Sequence, residues 1–292
     1  MTIEQNIWGF TEDGEAVVLY TLRNASGAEV RLTNIGAAIV GVTVPDKAGN
    51  MKDVCLGYPD WKSWFHDGPA MGKTPGRYAN RIALGRFTLD GVQYQLACNN
   101  GPNALHGGPN GFHNRLWTGR VETDRVVFSY LSADGEEGYP GELGAEVVYD
   151  WDDDYNLEIT YFARSNAATV VNLTNHAYFN MAGEDAGSVQ DNTLKIYATH
   201  WLPTDDTQIP TGEIAPVAGT PMDFTRAKPI GRDIEADFGA LKIGHGYDHC
   251  WMVDNYKERG ELDSRLRDVA LLADPASGRS LLVRSTQPAA QV

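Results

Sequence analysis

The chain has 292 residues, 42% of them hydrophobic, and a formal net charge of −15. That is apolar material for a substantial core, in a length that suits one large β-sandwich or barrel domain. The charge argues against nucleic-acid phosphates and anionic membrane surfaces as partners, since both call for clustered Lys and Arg. The cysteines Cys55, Cys98 and Cys250 are scattered and form no CxxC pair, which argues against a disulfide framework and a thiolate zinc site.

The first residues, Met1 to Asn6, show no basic-then-apolar leader, and no apolar run approaches the length of a membrane span, so a cytoplasmic location is expected. From Glu15 to Val44 the pattern is strand-like: Ala28, Val30 and Leu32 alternate with Glu29, Arg31 and Thr33, after a turn at Asn24–Gly27. Ile35 to Val44 is nearly continuously apolar, as in a strand buried on both faces. Pro59 to Phe65 fits one short helix with Asp60 as N-cap. Its Trp61 and Trp64 are candidates for stacking on a sugar, although packing is the commoner use of such residues. Arg86 to Leu96 predicts a hairpin, with Asp90-Gly91 as its tight turn. Asn99 to Asn114, rich in Gly, Asn and Pro, predicts a long loop of the kind that often carries function. Val121–Tyr130, Ala145–Trp151 and Leu157–Ala163 are further strand candidates.

The stretch from Thr169 to Met181 predicts a strand of particular character. One face carries Val171, Leu173, Ala177, Phe179 and Met181, broken only by Asn175. The other carries Asn172, Thr174, His176, Tyr178 and Asn180. A row of neutral amide, hydroxyl and imidazole groups suits a polyhydroxylated neutral ligand, and the histidine suits proton transfer near neutral pH. The alternative is a strand whose polar side chains merely cap loops.

Later, Leu194–Thr199, Val269–Ala273 and Ser280–Thr286 predict strands, and a weak helical pattern runs from Glu261 to Arg267. Short strands separated by turns, without repeat or linker, imply one all-β domain in sandwich form. His245 and His249 are four apart, but Gly244 and Gly246 disfavour the helix a paired metal site needs, so no metal is expected. His106 lies in Leu105-His-Gly-Gly108, where the glycines permit close approach of backbone or ligand. No P-loop, dinucleotide fingerprint or G-x-S-x-G motif is present.

The ordered set Gly76-Arg-Tyr-Ala-Asn-Arg-Ile82, Phe87-Thr-Leu-Asp-Gly91, Asn99 to Gly108, Asp134-Gly-Glu-Glu-Gly-Tyr-Pro-Gly141, Asn172 to Asn180 and Gly246-Tyr-Asp-His249 resembles the aldose 1-epimerase (galactose mutarotase) family. The resemblance implies a β-supersandwich with large antiparallel sheets and few short helices. It implies interconversion of the α and β anomers of free hexoses such as galactose and glucose, with no cofactor. His176 is then the general acid, and His106 holds the sugar and assists near the ring oxygen. Asn80, Arg81, Tyr178, Asp248 and Gln291 bind substrate. A small-molecule aldose partner and a monomer or weak homodimer are expected.

The family's base is a glutamate that follows the position of Gln291 by a few tens of residues. No residue here matches it, so residues 1–292 are expected to form one domain lacking the family's C-terminal segment. The expected consequence is turnover slowed by orders of magnitude, with Asp248 or Glu137 as stand-in carboxylates. The alternative is an impaired or non-catalytic sugar-binding protein. A glycosidase and an epimerase of hexose 6-phosphates are further alternatives.

Overall fold

A computed structural model describes residues 1–255 and 265–292. Within it the chain divides into two compact units, Met1–Pro45 with Gly49–Phe179, and Asp46–Ala48 with Asn180–Val292.

In the first unit, β1 (Thr2–Phe10), β2 (Ala16–Arg23), β3 (Glu29–Thr33), β4 (Ala38–Pro45) and β5 (Met51–Asp53) form an antiparallel meander. The turn before β3 is fastened by the Asn24 side chain, whose Oδ1 accepts from the backbone of Ser26 at 3.1 Å and of Ala28 at 3.0 Å. The short strands β6 (Arg81–Ile82) and β9 (Ala104–Leu105) pair with each other, as do β7 (Arg86–Leu89) and β8 (Val92–Gln95). The β7–β8 turn is the expected Asp90-Gly91, with both residues at positive φ, 50° and 79°.

A second antiparallel sheet follows, of β10 (Thr118–Glu122), β11 (Arg125–Ser132), β12 (Leu143–Trp151) and β13 (Leu157–Ser165), in that order. The single strand expected over Val121–Tyr130 is thus two, because Thr123 and Asp124 turn the chain between Glu122 and Arg125. Leu143, Ala145, Val147, Tyr149 and Trp151 of β12 alternate inward and are buried. They face the first sheet: the Tyr149 hydroxyl donates to the Ala37 carbonyl at 2.7 Å, and the Tyr20 and Phe128 rings meet edge-on at 5.4 Å. This is a β-sandwich, its core made by period-two burial on both sheets.

Asp60 caps a single 3₁₀ turn, Trp61–Trp64, by accepting from Lys62 and Ser63 N–H. Trp64 is buried and Trp61 packs beside it among Val17, Ile35 and Val40, so packing is the use these tryptophans have here.

The second unit holds β14 (Thr193–Ile196), β15 (His200–Leu202), β16 (Ala215–Pro216), β17 (Lys228–Pro229), β18 (Cys250–Met252), β19 (Arg267–Ala273), β20 (Ser280–Ser285) and β21 (Ala289–Gln291), with one short helix α1 (Gly239–Gly244). Its sheets run β17-β14-β19-β20 and β16-β15-β18-β21. Ile196, Trp201, Phe224, Trp251 and Val269 share their core. The helical pattern from Glu261 to Arg267 lies outside the described residues up to position 264, and Arg267 opens β19. Among the described residues no helix is long and apolar enough to cross a membrane.

Candidate active site

In the first unit the sequence-predicted residues Asn80, Arg81, His106, His176 and Tyr178 come together around two segments. The first is the β6–β9 pairing. His106 and Asn80 bond reciprocally: the His106 N–H donates to the Asn80 carbonyl at 3.1 Å, and the Asn80 N–H donates to His106 Nδ1 at 3.0 Å. Because Nδ1 is an acceptor, the neutral ring carries its proton on Nε2 and has a donor to offer. Arg81 is held by Asn80 Oδ1 at 3.2 Å from Nη1 and by Asn100 Oδ1 at 3.0 Å from Nε. The loop is set by Asn99, which brackets Leu105 as a strand partner would, accepting from its N–H at 2.7 Å and donating to its carbonyl at 3.1 Å.

The glycines after His106 are there for close approach. A Cβ on Gly107, at φ +85°, would lie 1.8 Å from the Gly76 carbonyl oxygen. One on Gly108 would lie 2.3 Å from Glu137 Oε2, so the carboxylate of Glu137 rests on the His106 loop.

The second segment is 169–181, which is extended but is not a ladder strand. Its backbone bonds pass successively to Arg77 and Ala79, to Gly72 and Lys73, and to Leu56. No single neighbour follows it far enough to make a regular pair, which is why the predicted strand reduces to isolated bridges at Asn172 and Phe179. Asn175, the polar break in the apolar face, is satisfied inside: its amide donates to the Gly72 carbonyl at 2.9 Å and to the Tyr149 hydroxyl at 3.3 Å.

His176 therefore emerges from a fixed backbone. Its ring stands perpendicular to that of His106, with centroids 5.2 Å apart, and lies 5.2 Å from the Tyr178 ring. Tyr178 donates its hydroxyl to the Pro69 carbonyl at 3.3 Å. Behind His106 lies a third ring, His113, at 6.3 Å. It is buried, its Nδ1 has no hydrogen-bond partner, and its pKa is pushed down to about 4, by burial first and then by the Lys73 ammonium.

Arg77, in the same motif as Arg81, does a different job. It is buried and donates to Ser132, Ala133, Pro140 and Thr169, tying the 132–140 loop to the motif.

In the second unit Asp248 and Gln291 are joined, Gln291 Nε2 donating to Asp248 Oδ1 at 2.6 Å. Gln208, which no sequence motif singles out, donates to Asp248 Oδ2 at 3.1 Å. Two amides thus orient one carboxylate and leave its remaining lone pairs for hydroxyl donors. Sequence spacing gives no sign of Gln208, which lies forty residues away in a turn fastened by Asp205. His249 is buried against Trp201, and His245 caps α1. Among the described residues no three His, Cys, Asp or Glu side chains gather as metal ligands.

A family model described as aldose 1-epimerase matches residues 18–292. The chain is 40% identical over 291 residues to a galactose mutarotase of Sus scrofa, spanning 100% of this chain and 81% of that protein. It is 40% identical over 242 residues to the aldose 1-epimerase of Escherichia coli K12, spanning 82% of this chain and 69% of that one. Among solved structures, an aldose epimerase homologue from C. elegans superposes with a TM-score of 0.83 at 30% identity, over 94% of this chain and 81% of its own. A galactose 1-epimerase from Lactobacillus acidophilus gives a TM-score of 0.81 at 27% identity, over 94% of this chain and 77% of its own.

Proposed function

The chain belongs to the aldose 1-epimerase family, and from that premise we propose how it, an isomerase, interconverts the α and β anomers of free aldoses such as galactose and glucose. Opening a pyranose needs a proton taken from the anomeric hydroxyl and one given to the ring oxygen. Rotation about the first carbon–carbon bond and reclosure on the other face invert the centre. We assign the donated proton to His176. His106, with Nδ1 occupied by Asn80, offers Nε2–H as a hydrogen bond to the sugar near the same oxygen. Asn80 and Arg81 hold hydroxyls, and Tyr178 contributes a ring face. Asp248 accepts hydroxyl donors while Gln291 fixes it and adds an amide contact.

The observation that carries the proposal is the perpendicular pair His106–His176 at 5.2 Å, two imidazoles with different work and different fixings. Polarimetry on freshly dissolved α-galactose tests it. The protein accelerates the approach to the equilibrium rotation; sugar binding without acceleration would make it a sugar-binding protein instead.

The partner is a small-molecule aldose, met by a monomer or weak homodimer; the net charge of −15 gives no support to nucleic acid or membrane binding. We place it in the cytoplasm, where free thiols such as Cys55, Cys98 and Cys250 persist.

A further inference from the structure

Behind the histidines lies a charged pair that no step of the proposed reaction uses. The Lys73 side chain is fully buried and its ammonium makes a direct ion pair with Asp67, itself almost wholly buried. Asp67 also accepts from the Met71 N–H at 2.8 Å and the Tyr58 hydroxyl at 3.2 Å. Burial lowers the Lys73 pKa and Asp67 opposes that shift. A buried pair of charges is a poor source of stability, since the desolvation of both ions offsets most of their attraction. Its position suggests another use. The pair closes residues 67–73 into a loop whose backbone is what the segment 175–178 is fastened to. The Gly72 N–H donates to the His176 carbonyl at 2.9 Å, and the His176 N–H donates to the Lys73 carbonyl at 2.8 Å. The Gly72 carbonyl also accepts the Asn175 amide at 2.9 Å, and Pro69 accepts the Tyr178 hydroxyl at 3.3 Å.

We propose that the buried Asp67–Lys73 pair is a positioning device for His176, fixing the loop backbone to which the acid and its neighbours Asn175 and Tyr178 are hydrogen-bonded. The inference rests on His176 being the acid and deepens that assignment. An imidazole that must hand a proton to one ring oxygen tolerates little displacement; a shift of about 1 Å in a reacting group costs on the order of a hundredfold in rate. Asn80 and Arg81 are held by the β6–β9 hairpin and Asn100, without the ion pair. Breaking the pair therefore lowers kcat and spares KM.

The test compares Lys73→Met, which keeps the stem and removes the charge, with Asp67→Asn, which keeps the shape. kcat and KM for α-galactose are referred to the folded fraction read by circular dichroism. The expected result is a kcat lower by about tenfold to a hundredfold with KM within about twofold of wild type. Folded variants with wild-type kcat, or a loss of kcat matched by a rise in KM, would overturn the inference. Should Lys73→Met fail to fold, Asp67→Asn carries the same comparison. His176→Ala, measured alongside, separates the two levels. A His176→Ala protein with wild-type kcat defeats the acid assignment itself. A slow His176→Ala protein beside a fully active Asp67→Asn defeats only the role of the pair.

Discussion

At the scale of single residues, the site is made of polar groups whose spare valences are aimed by backbone partners. Asn100 was not visible from sequence as anything but loop, yet its Oδ1 holds Arg81 Nε. Asn100→Ala frees the guanidinium and is expected to raise KM for galactose about tenfold with kcat little changed; an unchanged KM would show that Arg81 needs no such anchor. His113 gives a second residue-scale expectation. Its folded pKa of about 4 lies below the ordinary 6.5, so between those values the unfolded chain binds the extra proton and the native one does not. Stability thus falls as pH drops from 6.5 toward 4, by up to about 3 kcal/mol from this group. His113→Phe removes that contribution, and urea denaturation between those pH values should show a shallower acid loss than in wild type. An equally steep loss would place the acid sensitivity elsewhere.

At the scale of elements, the His106 loop depends on two chains of backbone passing at contact distance. Gly107→Ala puts a methyl group into the Gly76 carbonyl at a positive φ. The expected cost is about 3 kcal/mol or more, seen as a lower denaturation midpoint together with lost activity; an unchanged midpoint would contradict the close approach. The pair of glycines was readable in the sequence as a place of approach, and so was the Asp90-Gly91 hairpin, because both signals are local. The segment 169–181 was readable only in part. Its alternation suggested a strand with a polar functional face, and His176 and Tyr178 do lie side by side. What alternation cannot reveal is that the hydrogen-bond partners change every few residues, or that Asn175 is satisfied inside by Gly72 and Tyr149. The division of labour between Arg77 and Arg81, four residues apart, was equally hidden. It depends on which guanidinium meets the carbonyls of the 132–140 loop, a contact more than fifty residues distant. Lys73 and Asp67 read as ordinary loop charges until burial made them a pair.

At the scale of the whole molecule, the expectation of one domain over residues 1–292 now stands as a proposal beside the two compact units. Calorimetry tests it: one transition whose calorimetric and van't Hoff enthalpies agree is expected, whereas two separable transitions would mean that the units fold independently. The all-β antiparallel architecture followed from short strands and frequent turns, since period-two burial leaves a strong mark even where strand ends do not. The chemistry rests on one imidazole presented by that architecture. Polarimetry with wild type and His176→Ala on fresh α-galactose measures its part directly. The variant is expected to lose about a hundredfold to ten-thousandfold in kcat, and equal rates for the two proteins would contradict the account.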